Sequence, residues 1–155
     1  LEDGLLYVAS ADAVVRVWDL HRGTEWFEMT ETGLNSSIAL SRDGRYLLTR
    51  SSATDAHALL WRCGTTRELK PFVVHRLAGH AKGASVTALA ISADGSKAFT
   101  ADNTGVGIVW DARTGKPIGK KVESLLGYRI NAAAFVADGE ELLIAADDQQ
   151  VTRID

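Results

Sequence analysis

Cysteine, proline, excess positive charge and helical periodicity are all scarce in this sequence, and each shortage removes a class of protein. The single cysteine, Cys63, cannot close an internal disulfide, so the fold is not disulfide-built and a cytoplasmic location is expected. Acidic residues outnumber basic ones, 20 to 17, for a net charge of −3. That balance gives no support to nucleic-acid or membrane-surface binding, because both want clustered Lys and Arg. The longest apolar stretches, Val86 to Ser92 and Asn131 to Ala137, fall far below the ~18 residues of a membrane span. Leu1 is neither an initiator methionine nor the start of a signal peptide, so these residues are expected to come from something longer. No long stretch places apolar residues at i, i+3, i+4 and i+7, which leaves little room for helices.

What is present is a globular composition, 46% hydrophobic and 24% charged over 155 residues. A chain of that length can bury roughly 70% of its unfolded surface, so a real core is possible. Two prolines stand against 14 glycines, and short β-branched runs alternate with Gly and Asp clusters, a pattern of many short strands.

A turn signal recurs at Asp3-Gly4, Asp43-Gly44, Asp94-Gly95 and Asp138-Gly139, with glycines 40, 51 and 44 residues apart. A second signal follows each after 14 to 17 residues: Trp18-Asp19, Trp61-Arg62, Trp110-Asp111 and, degenerate, Ile154-Asp155. Asp-Gly suits a tight hairpin, since Gly takes positive φ freely and Asp tolerates it. Apolar residues two apart flank the turns, as in Ile38 with Leu40 and Leu89 with Ile91, so each run has one inward face. Four strands per 40 to 50 residues is the period of a propeller blade.

The pattern resembles the WD-repeat β-propeller family. The residues that carry the resemblance are Gly79-His80 opening the third unit, Trp110-Asp111 closing its third strand, and Ser10, Asp12 and Trp18 in the first unit. Asp55 with Trp61 and Asp148 with Ile154 keep the same six-residue offset. The resemblance implies a buried chain within each blade, Trp to Ser or Thr, to His, to Asp, which rigidifies only if every member is satisfied. Thr104 stands at the expected Asp position of the third unit, with Asp102 two residues earlier, and Arg62 replaces the Asp after Trp61. By this reading no unit carries the full set of four. The expected fold is all-β, with blades of four antiparallel strands in an incomplete arc of about 3.5 blades, in units near 1–29, 30–77, 78–123 and 124–155. Closure of a ring by two copies fails on phase, since the junction would hold six strands where a blade has four.

An acid–base pair of Asp55 and His57 with Ser51 or Ser52 as nucleophile reads better as a polar loop, so no catalytic residue is assigned. Cys63 has no His at ligand spacing, so no metal and no cofactor are expected. Gly105-Val106-Gly107 reads as a hairpin turn rather than a nucleotide loop, and the triplet Asn35-Ser36-Ser37 as chance. Trp26 and Phe27 lie outside the repeat register and read as outer-strand packing, while Trp18, Trp61 and Trp110 are expected in the core. The segment from Arg62 to Ala78 is longer than a typical repeat allows, and Arg67, Lys70, His75 and Arg76 make it basic. The resemblance further implies that partners, which would be other proteins or peptides, dock on the narrower face. By position that face holds Thr54, Asp55 and His57, then Lys82 and Asn103, then Tyr128, Arg129, Asp147 and Gln149. The expected function is a non-enzymatic scaffold for protein–protein interaction. The alternative is a regulatory or sensory propeller joined to a catalytic domain, such as a kinase or protease, outside these residues.

Overall fold

Short apolar runs broken by Asp-Gly and Thr-Gly turns fold as antiparallel hairpins. The structure, a computed structural model, describes residues 4–30, 37–51, 56–64, 69–123, 127–136 and 139–154. The first sheet joins β1 (Leu5–Ala9), β2 (Val15–Asp19) and β3 (Thr24–Met29). The second joins β4 (Ile38–Leu40), β5 (Tyr46–Arg50), β6 (His57–Arg62) and β7 (Phe72–Ala78). The third joins β8 (Val86–Ile91), β9 (Lys97–Asp102), β10 (Val106–Asp111) and β11 (Lys116–Glu123). The fourth joins β12 (Ile130–Val136), β13 (Glu141–Ala146) and β14 (Val151–Ile154). Every strand pairs with its sequence neighbour, so each sheet is a meander, and the four form the open all-β arc of blades that the repeat implied.

The Asp-Gly turns are built the same way in consecutive sheets. Ser41 Oγ donates to Asp43 Oδ1 at 2.7 Å and accepts from the Tyr46 amide at 3.0 Å, while Gly44 takes φ 71°. Ser92 Oγ donates to Asp94 Oδ1 at 2.6 Å and accepts from the Lys97 amide at 2.9 Å, with Gly95 at φ 72°. These hydrogen bonds hold the Asp94 carboxyl below its ordinary range, the Ser92 hydroxyl foremost. The turns also nest from sheet to sheet. The Arg42 amide donates to the Ala93 carbonyl at 3.1 Å, and Lys97 Nζ donates to the Gly139 carbonyl at 2.9 Å.

The Asp after each Trp has its own task. Asp111 Oδ1 accepts from the amides of Arg113 and Thr114 at 2.9 and 2.8 Å, closing the β10–β11 turn. Asp19 does the same for His21 and Arg22 at 3.0 and 3.1 Å. In the second sheet Arg62 instead lies over the Tyr46 ring, 4.8 Å from its centroid. Residues 63–71 join β6 to β7, a longer run than the β2–β3 and β10–β11 turns, and 65–68 of it lie outside the described residues. The basic segment is therefore divided. His75 and Arg76 belong to strand β7 rather than to a loop, whereas Arg67 lies outside the described residues.

Apolar runs in the second sheet are continuous because both faces are covered. Leu47, Leu59 and Trp61 pack on Val15, Val17 and Met29 of the first sheet. Their sequence neighbours Leu48 and Leu60 point the other way, onto Ala98, Ile108 and Trp110 of the third. Phe99 and Ala101 then meet Ile130, Leu142 and Ile144 of the fourth. The first strands of adjoining sheets, β4, β8 and β12, lie against one another at the convergent edge of the arc. Gly107 is required by this packing: a Cβ there would stand 2.4 Å from Phe99 Cζ. Gly105 takes φ 86° in the preceding turn, so the Gly-Val-Gly run is a hairpin entering a strand.

Candidate functional site

One polar network runs through the third sheet. The Trp110 indole Nε1 donates to Thr100 Oγ1 at 2.9 Å. Thr100 Oγ1 lies 2.8 Å from His80 Nε2, and His80 Nδ1 lies 2.7 Å from Asp102 Oδ2. Asp102 Oδ1 accepts from the Thr104 hydroxyl at 2.6 Å and from the amides of Thr104 and Val106 at 2.9 and 3.2 Å. The third unit thus carries a complete chain of four, which the sequence reading denied it. Thr104, at the six-residue offset, is a donor to the true acid, Asp102. The residue missed was Thr100, which strand alternation alone places beside Trp110: Ala98 pairs with Trp110 in the sheet, and Thr100 is its neighbour on the same face.

Burial sets the electrostatics. The His80 and Asp102 side chains are 0% and 1% exposed. Burial pushes His80 below its ordinary value, against the opposing pull of Asp102. Burial also raises the Asp102 carboxyl, but the hydrogen bonds from Thr104, Val106 and His80 outweigh it and hold the group below the usual carboxylate range. The arrangement is an imidazole bridging a hydroxyl and a carboxylate, with both ionisable side chains out of solvent.

The other units keep parts of the chain. In the second sheet Trp61 Nε1 donates to Thr49 Oγ1 at 2.9 Å, while Asp55 lies outside the described residues. In the first sheet Asp12 pairs with Arg16 at 2.6 Å, and this bond more than any other holds its carboxyl below the ordinary range. Ser10 bonds Asp12 as well. Trp18 is not in the core: it is 36% exposed, on the face that has no adjoining sheet. In the fourth sheet Asp148 Oδ1 accepts from the Gln150 amide at 3.0 Å, and Ile154 packs on the third sheet at the place a Trp would take. Cys63 is buried, and burial pushes its thiol up to about 11, so it is inert. Trp26 and Phe27 are half-buried against the first core cluster, with Lys70 Nζ 5.5 Å from the Phe27 ring centroid.

The residues expected on the partner face gather at one end of the sheets, in the turns β7–β8, β9–β10, β11–β12 and β13–β14. Lys82, Tyr128, Arg129 and Gln149 are exposed there. Asn103 is exposed, but its Oδ1 accepts from the Ser85 amide at 2.8 Å, a structural duty. Asp147 is exposed beside Asn131, whose Nδ2 donates to it at 2.5 Å. His57 is not a surface turn residue: it begins β6, is 7% exposed and holds Arg76 Nη1 at 2.7 Å on its Nε2. Thr54 and Asp55, like Ser52, Asp155 and the Asn35-Ser36 pair, lie outside the described residues. Among the described residues no group of His, Cys, Asp and Glu is placed to hold a metal ion, and no helix is long and apolar enough to cross a membrane.

Comparisons with known proteins agree with this geometry. The family described as "WD domain, G-beta repeat" matches residues 72–111. That stretch begins at the fourth strand of one sheet and ends at the third strand of the next, so a sequence repeat ties two sheets together. Autophagy-related protein 16 of Arabidopsis thaliana is 31% identical over 106 residues, which cover 68% of this chain. The chain spans only 19% of that relative's length. With four meander sheets, a complete Trp–Thr–His–Asp chain and these matches, the protein belongs to the WD-repeat β-propeller family.

Proposed function

We propose that this chain is a non-enzymatic scaffold that binds other proteins through the turns at one end of its sheets. The observation that carries the reading is the burial of the His80–Asp102 pair. The side chains of this pair are out of solvent, and Asp102 holds the amides of Thr104 and Val106, so the pair fixes the β9–β10 turn. What the same end offers to solvent is a set of side chains suited to recognition: Lys82, Tyr128, Arg129 and Gln149. An aromatic and an arginine side by side are residue types enriched among interface hot spots. Backbone hydrogen bonds tie these turns down, Ala84 to Ala81 in one and Asp147 to Arg129 between two others, which limits the conformational freedom lost on binding. WD repeats mediate protein–protein interaction generally, and that supports the assignment to this chain.

The test is site-specific photocrosslinking in cell extract. A photoreactive residue at Tyr128 or Lys82 is expected to capture discrete partners that the same probe at Lys120, on outer strand β11, does not. Equal capture at all three positions would sink the assignment to this end.

A further inference from the structure

Beside strands β6 and β7 and the β7–β8 turn, at the same end, lies a solvent-open cleft of about 500 Å³ whose lining includes Ala56, His57, Arg76, His80, Lys82 and Gly83. Its described lining carries side-chain cations and no carboxylate. Arg76 is exposed and set in place from below, its Nη1 donating to the buried His57 ring at 2.7 Å. That bond requires a lone pair on His57 Nε2, so the guanidinium is oriented without being neutralised. The remaining guanidinium N–H groups form a planar fork suited to a carboxylate. Lys82 also lines the cleft and is exposed. Lys121 lies just outside, its Nζ donating to the Gly79 carbonyl at 2.8 Å. Among the described residues, Asp102 beside the cleft is turned inward onto His80, Thr104 and Val106. Ala78 and Gly79 line it together with Ala56 and Gly83, and the small size of these residues lets a peptide backbone approach closely.

We propose that this cleft receives an acidic side chain of a partner polypeptide, held between Arg76 and Lys82. The inference rests on the scaffold reading and adds the chemistry of what is bound. A long polyanion such as nucleic acid is disfavoured by the net charge of −3, whereas one or two carboxylates match a local pair of cations.

The experiment is a fluorescence-anisotropy titration of the 155-residue chain with a labelled glutamate-rich peptide and its glutamine counterpart. The glutamate peptide is expected to bind, and to weaken as salt is raised, while the glutamine peptide does not. Arg76→Gln is expected to weaken binding about tenfold, and Lys82→Gln to weaken it less. Lys120→Gln, an equal loss of charge on β11, leaves it unchanged. Tryptophan fluorescence establishes that each variant is folded, and Lys82→Gln carries the test if Arg76→Gln is not. Equal binding of the two peptides, no binding of either, or wild-type binding by both Arg76→Gln and Lys82→Gln overturns the proposal. Partner capture at Tyr128 together with a silent titration would leave the scaffold standing and remove only the acidic cleft.

Discussion

Thr100 Oγ1 serves two buried partners at once, the Trp110 indole at 2.9 Å and the His80 imidazole at 2.8 Å. Thr100→Val removes the hydroxyl and leaves both without it, so it is expected to cost about 1–3 kcal/mol, read from a denaturant midpoint. Among the described residues Thr49 Oγ1 serves the Trp61 indole, and Thr49→Val is expected to cost less. The network also predicts an acid response. His80 is held below its ordinary 6.5 and Asp102 below its ordinary 3.8. In both cases the unfolded chain binds the proton more readily than the folded one, so stability falls with pH. His80 contributes its loss as pH drops below 6.5, towards its lower folded value. Asp102 contributes below 3.8. Denaturant midpoints between neutral pH and mildly acid pH are expected to decline in the parent, and a His80→Gln variant is expected to show a flatter profile over the same range.

At the scale of the element, the hairpin turns hold register as well as reversing the chain. A one-residue slip would send Leu48 and Leu60 to the interface that Leu47 and Leu59 occupy, so both core clusters depend on turns of fixed length. Gly95 has two reasons to be glycine. Its φ is 72°, and a Cβ would stand 2.7 Å from Cδ2 of Tyr46 on the neighbouring sheet. Gly95→Ala is expected to cost about 1–3 kcal/mol, whereas Gly23→Ala meets nothing within 4 Å and is expected to cost only the backbone term. Thermal melts of the two variants side by side would separate packing from conformation.

Across the whole molecule, the three repeat tryptophans have unequal surroundings. Trp61 and Trp110 are 5% and 2% exposed between sheets, and Trp18 is 36% exposed with Leu6 and Val8 on the outward face of the first sheet. Replacing Trp61 or Trp110 by Ala is expected to cost about 3–5 kcal/mol, and Trp18→Ala about 1–2 kcal/mol. Acrylamide is expected to quench Trp18 selectively in single-tryptophan variants. The exposed face of Leu6, Val8, Trp18 and Leu20 is an apolar surface of the kind that promotes association. Light scattering is expected to show a mass that rises with concentration and falls in Leu6→Lys. A mass that ignores both concentration and that substitution would contradict this role for the face.

The sequence by itself determined the strand content, the hairpin positions and the repeat, because Asp-Gly turns and alternating apolar residues act locally and leave their spacing in the chain. It also placed Lys82, Tyr128, Arg129 and Gln149 in turns, since turn residues are exposed wherever the sheets go. Only the tertiary structure decided the rest. It completed the network that the sequence already offered in His80, Asp102 and Trp110, because the path of the β9–β10 turn, and not the offset from Trp110, brings Asp102 to His80. It took Trp18 out of the core, because a tryptophan is buried by the adjoining sheet and not by its own. It put His57 beneath the surface and Arg76 above it. The pairing of β6 with β7 brings these two residues together across 19 positions of chain, a separation that no local pattern encodes.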